Sequence, residues 1–247
     1  MSVFNEKEGN GGAAVDPEAF QARPNCLTTE RLELVPLTLD EFALYLSDVD
    51  ALAEALRLAE PPSEPDAETR AAFNWLFENA LALDAASLYW STLWLPILRS
   101  ENRVVGGFCF KGPPRPLFDF LEKAPNFKID VETVAPAVDG NARTAETAVD
   151  NNDKIAAASA LTAVVEIGYG VDEAFRGRGL ATEAVGALVD WGREREDVGV
   201  IVAETSTANL PSRRVLEKCG FQRCGDSGDA LFWRVDVLRR ATEKDGV

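Results

Sequence analysis

The stretch Glu166–Ala181, EIGYGVDEAFRGRGLA, constrains this chain more than any other. An apolar strand runs into an acidic loop, then into the basic glycine turn Arg176-Gly177-Arg178-Gly179, which opens a helix. Glycine lets a backbone approach a ligand closely, and a helix start offers unpaired N–H groups carrying partial positive charge. That order suits a phosphate-bearing ligand held beside an open sheet edge. A basic turn that only starts a surface helix is the plainer alternative. Gly177-x-Gly179-x-x-Thr182 misses the last glycine of the dinucleotide fingerprint, and the loop Asp172–Arg176 separates it from its strand. No Gly-Lys-Ser/Thr follows, so the lysine-bearing phosphate loop is absent as well.

Around this stretch the pattern is α+β. Arg31–Leu37 alternates as a first strand, Thr38 and Glu41 have capping-box spacing, and Phe42, Tyr45, Leu46 and Val49 recur as on a helix. A second helical run covers 67–83. Leu88–Leu98 and Val104–Phe110 read as a hairpin around Ser100–Arg103. Ala163–Val171 is an apolar strand suited to a central position, followed by a helix Ala181–Arg193 and a buried strand Gly199–Glu204. Asn209 can cap a short helix through Cys219 that Gly220 ends, and Leu231–Leu238 is a last strand. The expected architecture is a mixed, mainly antiparallel central sheet with helices on both faces. The five tryptophans are expected in its core.

Residues 1–25 read as a flexible tail, and 26–240 as a single domain interrupted by a low-complexity insertion at 112–161. The insertion is expected between two strands of one hairpin. Phe118, Phe120, Leu121 and Phe127 are available to pack it onto the body.

Forty-one acidic residues against 25 basic ones give a formal charge of −16. This argues against nucleic acid and against an anionic membrane as partners. It fits a cationic acceptor, although solubility alone also accounts for it. The chain has no histidine, which excludes His-dependent triads and His-ligated metals, and no metal site is expected. Four cysteines without a CxxC pair, a start without a basic-then-apolar leader, and no apolar run of ~20 residues predict a cytoplasmic protein.

Arg176-x-x-Gly179-x-Ala181 resembles the R/Q-x-x-G-x-G/A signature of the GNAT acyltransferase superfamily. Thr29-Glu30-Arg31-Leu32 with Pro36-Leu37-Thr38, Glu166-Ile167-Gly168-Tyr169, Glu183-Ala184 and the block from Asn209 through Phe221 resemble the branch that acetylates ribosomal-protein N-termini. The likeness covers roughly 27–111 and 162–238. It implies the acyl-CoA N-acyltransferase fold and an acetyl-CoA-dependent N-acetyltransferase acting on a primary amine by direct transfer in a ternary complex. The acceptor would be a protein or peptide N-terminus, or a small amine such as a polyamine or an antibiotic. A non-catalytic acyl-CoA sensor is the reading from another class, and a monomer or homodimer is expected.

The same resemblance implies roles. Backbone groups of Tyr169, Gly170 and Val171 would bind the pantetheine as an added strand. The N–H groups of Arg176, Gly177, Arg178, Gly179, Leu180, Ala181 and Thr182 would hold the pyrophosphate. Asn209 and Ser212 would stand at the far wall of a cleft formed where the strands of Ala163–Val171 and Gly199–Glu204 part. Glu166 is the first candidate base, with Glu204 second and Ser212 the candidate acid; no Tyr follows the asparagine block. Each also has a structural reading: Glu166 as a hairpin or ion-pair residue, Glu204 as a solvated strand end, Ser212 as a helix-start residue. The insertion is expected to overhang the acceptor side.

Overall fold

The structure, a computed structural model, describes Arg23 and residues 25–121 and 163–237. Most of the N-terminal tail and residues 122–161 of the expected insertion, including Phe127, lie outside the described residues.

The first half builds one wing of the sheet. Strand β1 (Leu27–Thr28) pairs antiparallel with β2 (Leu32–Pro36), which pairs antiparallel with β3 (Leu93–Leu98). Between them lie helices α1 (Leu39–Ser47), α2 (Val49–Leu56) and α3 (Ala67–Ala80). The Thr38–Glu41 capping box forms in full: Glu41 N–H donates to Thr38 Oγ1 at 3.3 Å, and Thr38 N–H to the Glu41 carboxylate at 2.9 Å. The helical run expected through Val49 divides at Asp48, because its carboxylate caps a new helix by accepting the Ala51 N–H at 3.0 Å.

After β3 come β4 (Arg103–Val104) and β5 (Gly106–Phe110), both antiparallel to β3. The expected partner strand 104–110 is thus interrupted at Val105 and resumes at Gly106. This residue has φ +153°, and a Cβ there would lie 2.1 Å from the Gly170 carbonyl oxygen. The strand expected from Leu88 begins only at Leu93, since Leu88–Trp90 form a 3-10 turn. That turn carries the Trp90 ring onto Trp191 and Phe110, with centroids at 4.5 and 4.9 Å. Trp94 and Trp233 are buried as expected, but Trp75 on α3 is 54% exposed, contrary to the expectation of core.

The stretch after Lys111 is structured at its start. Strand β6 (Arg115–Pro116) and helix α4 (Leu117–Leu121) bury Leu117 and Phe120 against Val164, Val200, Val202 and Phe232. Strand β7 (Ala163–Val171) then returns antiparallel to β5, so the intervening chain does join two strands of one hairpin. Helix α5 (Leu180–Arg193), β8 (Val200–Ser206), α6 (Leu210–Lys218), β9 (Gln222–Ser227) and β10 (Ala230–Asp236) complete the fold. Strand β9 carries no apolar alternation and only Cys224 is buried, as befits an edge strand exposed on both faces.

The sheet order is β1-β2-β3-β5-β7-β8-β10-β9, and every adjacent pair along it is antiparallel except β7–β8. Helices α5 and α6 cover one face over Trp94, Phe108, Ile167, Val185, Leu188 and Ile201, while α1–α3 cover the other over Val35, Leu95 and Ile97. The mixed, mainly antiparallel sheet between two helical layers is the architecture expected from the sequence.

Candidate functional site

The site lies where β7 and β8, the one parallel pair among the described residues, come apart. The β7–β8 ladder holds only Val164↔Val200, Val165↔Ile201 and Glu166↔Val202. Beyond it, β7 continues to Val171 bonded to β5 alone, and β8 continues to Ser206 bonded to β10 alone. The register on the β5 side decides which backbone groups face the gap. Asp172 N–H donates to Val105 O at 3.0 Å and Lys111 N–H to Glu166 O at 2.8 Å, so the even-numbered residues bond β5. Tyr169 and Val171 therefore turn their N–H and C=O groups into the gap. Gly170 does not: its backbone groups bond β5, a correction to its expected backbone contact with a ligand. Its contribution is open space, with no atom within 4 Å of where a Cβ would stand. The Val171 carbonyl also accepts from Arg176 Nε at 3.0 Å.

The glycine turn begins α5 without a side-chain cap, with Gly179 at the N-cap. Helices α1, α2, α3 and α6 are capped by the side chains of Thr38, Asp48, Asp66 and Asn209. Gly177 and Gly179 have φ of +75° and +79°, the left-handed region that glycine enters without strain, and no atom lies within 4 Å of a Cβ at Gly177. The first-turn N–H groups of Leu180, Ala181 and Thr182 thus have neither an intrahelical acceptor nor a cap to fill them.

This turn is clamped from a distance. The Glu183 carboxylate accepts from Thr29 Oγ1 at 2.6 Å, from Arg31 N–H at 2.7 Å and from Arg31 Nε at 2.7 Å. Arg31 Nη1 donates to the Arg178 carbonyl at 2.8 Å. Burial acts to raise the Glu183 pKa, but these hydrogen bonds and the Arg31 charge outweigh it and hold the carboxyl below its ordinary value. The Arg178 guanidinium pairs with Glu101 at 3.1 Å and lies over the Phe175 ring, so its charge serves the loop.

The four remaining candidates fall on the two faces of the sheet beside the gap. Asn209 caps α6 by accepting the Ser212 N–H at 3.1 Å, and the Ser212 carbonyl accepts from Tyr169 Oη at 3.1 Å. Ser212 is half-buried at the third helical position, and the Tyr169 contact is to its backbone. Burial, the largest effect, pushes the Tyr169 phenol up to about 12. On the opposite sheet face, Glu166 forms an ion pair with Lys111, and Glu204 is exposed nearby with its charge also acting on Lys111. Burial tends to lower the Lys111 ammonium, yet the attraction and hydrogen bond of Glu166 with the charge of Glu204 raise it overall. Sequence reasoning named both carboxylates but not Lys111, and it used Thr29, Arg31 and Glu183 only as motif letters. The opposition of Lys111 to Glu166 follows once the β5–β7 register is known.

No three His, Cys, Asp or Glu side chains among the described residues form a metal-binding group, and no described helix is long and apolar enough to cross a membrane.

A splayed parallel pair thus stands beside an uncapped glycine turn. The model of the acetyltransferase (GNAT) domain matches residues 139–222, from within the expected insertion through both strands of the splay, the glycine turn and α6. That segment, about a third of the chain, is thus similar to the acetyltransferase (GNAT) domain. Two curated relatives from Bacillus subtilis are similar: an uncharacterized N-acetyltransferase, YjdG, 34% identical over 70 residues, and a probable N-acetyltransferase, YjcK, 44% identical over 59 residues. These alignments take in 28% and 24% of this chain and 42% and 33% of the relatives, so the match spans less than half of their length. Among solved structures, a GNAT-family acetyltransferase from Bacillus anthracis is 19% identical with a TM-score of 0.43, covering 86% of this chain and 98% of that one. RimL, a ribosomal L7/L12 α-N-protein acetyltransferase in complex with coenzyme A, is 16% identical with a TM-score of 0.46, covering 85% and 97%.

Proposed function

We propose that the protein is an acetyl-CoA-dependent N-acetyltransferase that moves an acetyl group to a primary amine in a ternary complex. The observation that carries this reading is the parting of β7 from β8 beside the uncapped turn of α5. Tyr169 and Val171 offer backbone groups to a pantetheine arm as a missing strand would, and the N–H groups from Gly177 through Thr182 suit its pyrophosphate; that of Arg176, expected among them, instead donates to the Glu173 carbonyl at 3.2 Å. Acetyl-CoA supplies an activated thioester; the protein supplies position and proton management.

In the reaction the amine nitrogen attacks the thioester carbonyl, the new amide C–N bond forms, and the C–S bond breaks to release the thiolate. The amine gives up a proton to Glu166, directly or through one water, and the thiolate takes up a proton from solvent or from Ser212. Glu204, exposed on the same face as Glu166, adds negative charge that favours a cationic acceptor on that side of the sheet. An α-amino group, with a pKa near ~8, presents more neutral amine at pH 7 than a lysine near ~10.4. A peptide N-terminus is therefore the preferred acceptor and a small polyamine or aminoglycoside the second.

Thiol release from acetyl-CoA across a panel of peptide N-termini and small amines tests the reading, together with CoA binding by calorimetry. Glu166→Gln should keep CoA affinity and lose rate. Tight CoA binding without turnover on any amine would replace the enzyme by an acyl-CoA sensor.

A further inference from the structure

Lys111 is a charged group beside the site that the reaction above does not use. It follows β5 directly, and its N–H bonds the carbonyl of Glu166, so the two residues are directly opposed across the hairpin. Opposed residues of an antiparallel pair project on one face, and here the ammonium meets the carboxylate in an ion pair. Lys111 reaches it by leaning across Gly168: its Cε lies 3.3 Å from where a Gly168 Cβ would stand, with Cys109 Sγ at 3.5 Å from the same point. A side chain at 168 would occupy the path of the lysine stem. The Glu166 side chain is 17% exposed and that of Lys111 43%. The pair is thus shielded on the sheet side and open on the other.

The charged and titratable groups around the pair come from each neighbouring strand. Cys109 on β5 is buried near Lys111, and burial, the largest effect, pushes its thiol up to about 11. Glu204 on β8 projects on the same face beyond the last ladder pair, and its charge acts on Lys111. Arg115 on β6 stands opposite Val164 with its guanidinium over the Phe120 ring, 5.7 Å from the centroid. Asp119 on α4 is exposed, and Asp172 beyond the end of β7 acts on Tyr45. The direct partner of the Glu166 carboxylate in this set is Lys111.

We propose that Lys111 is a positioning residue: through its ion pair it holds the Glu166 carboxylate in place beside the gap between β7 and β8, with one oxygen left to face an acceptor. The proposal rests on the reading of Glu166 as the base. Its physical content is that an opposite charge in contact favours the ionised carboxylate, while a lysine already bonded to one oxygen leaves the other oxygen for an acceptor amine or a water. Lys111 touches neither the amine nor the thioester, and it acts through Glu166.

The test compares wild type with Lys111→Met and Lys111→Arg by ¹³C NMR titration of the glutamate carboxyl carbons, with Glu166 assigned by the signal lost in Glu166→Gln. In Lys111→Met, which removes the contacting charge, the measured Glu166 midpoint should differ from that of wild type, and in Lys111→Arg it should return toward it. The acidic limb of kcat/KM should move with it, while CoA affinity stays within about twofold, a change of under about 0.4 kcal/mol. Gly168→Ala, which displaces the lysine stem while keeping its charge in the chain, should move the midpoint in the same direction and stands in if Lys111→Met does not fold. A Glu166 midpoint unchanged within about 0.3 unit in the folded variant overturns the proposal, whether or not the protein turns over. A midpoint that moves in a protein releasing no thiol with any amine sustains the Lys111–Glu166 pairing and sinks the acetyl-transfer reading instead.

Discussion

Replacing Glu183 by Gln removes the charge from the clamp between the β1–β2 loop and the glycine turn while nearly preserving shape. The native carboxylate accepts three hydrogen bonds at 2.6–2.7 Å, from Thr29 Oγ1, Arg31 N–H and Arg31 Nε. An amide in its place puts an NH₂ donor against Arg31, so at least one bond becomes a donor–donor contact. Hydrogen bonds to charged groups contribute about 1.5–3 kcal/mol each, but they are not additive within one network. The Arg31 side chain is 41% exposed, so water recovers part of what is lost. A loss of about 2–3 kcal/mol is expected, or roughly 4–12 °C in Tm for a chain of this size. The sign with pH follows from the depressed carboxyl. Its stabilisation is complete above the unfolded Glu pKa of about 4.3 and is lost as pH falls through the folded value. Urea unfolding of both proteins should therefore show a constant gap from pH 8 to 6 that narrows only below about pH 4.3. Because Arg31 also holds the Arg178 carbonyl, CoA binding should weaken in parallel. A gap under about 0.5 kcal/mol at pH 7.5, or one that widens toward low pH, would refute the clamp.

Two further tests address the splay and its aromatic wall. Gly106→Ala puts a methyl 2.1 Å from the Gly170 carbonyl and should cost more than about 3 kcal/mol in urea unfolding, whereas Gly170→Ala, which meets no atom within 4 Å, should change stability by less than about 1 kcal/mol. Equal effects of the two substitutions would contradict the tight β5–β7 crossing. Burial, the leading cause in each, pushes the Tyr45 and Tyr169 phenols up to about 12. Neutral phenol is thus favoured in the folded state, and the stability this gives is whole below about pH 10 and lost as pH rises toward 12. Ultraviolet titration should show these two tyrosines ionising only together with alkaline unfolding; ionisation near pH 10 in the folded protein would refute their burial.

The sequence was most legible where local chemistry and tertiary structure agree. The Thr38–Glu41 capping box, the Asn209 cap and the span Ala163–Val171 are set by residues within a few positions of one another, and they stand as read. It was least legible where a distant contact decides. Trp90 belongs to a 3-10 turn because its ring packs on Trp191, a residue 101 positions away that no local window reaches. The polar edge strand Gln222–Ser227 has no alternation to detect, and the need for glycine at 106 comes from the Gly170 carbonyl on β7. The candidate site divides in the same way. Its glycines and carboxylates announce themselves by residue type, but the side each backbone group faces depends on strand register, which moved Gly170 from ligand contact to open space. Register also turned Lys111, unremarked in sequence, into the partner of Glu166, and gave Thr29-Glu30-Arg31-Leu32 a physical reason to accompany Glu183. Residues 29–31 are not near the cradle in sequence; they hold it through one carboxylate in the first turn of α5. A motif pair separated by some 150 positions is thus one mechanical unit, and the glycine turn depends on it for the shape that its own flexible residues cannot supply.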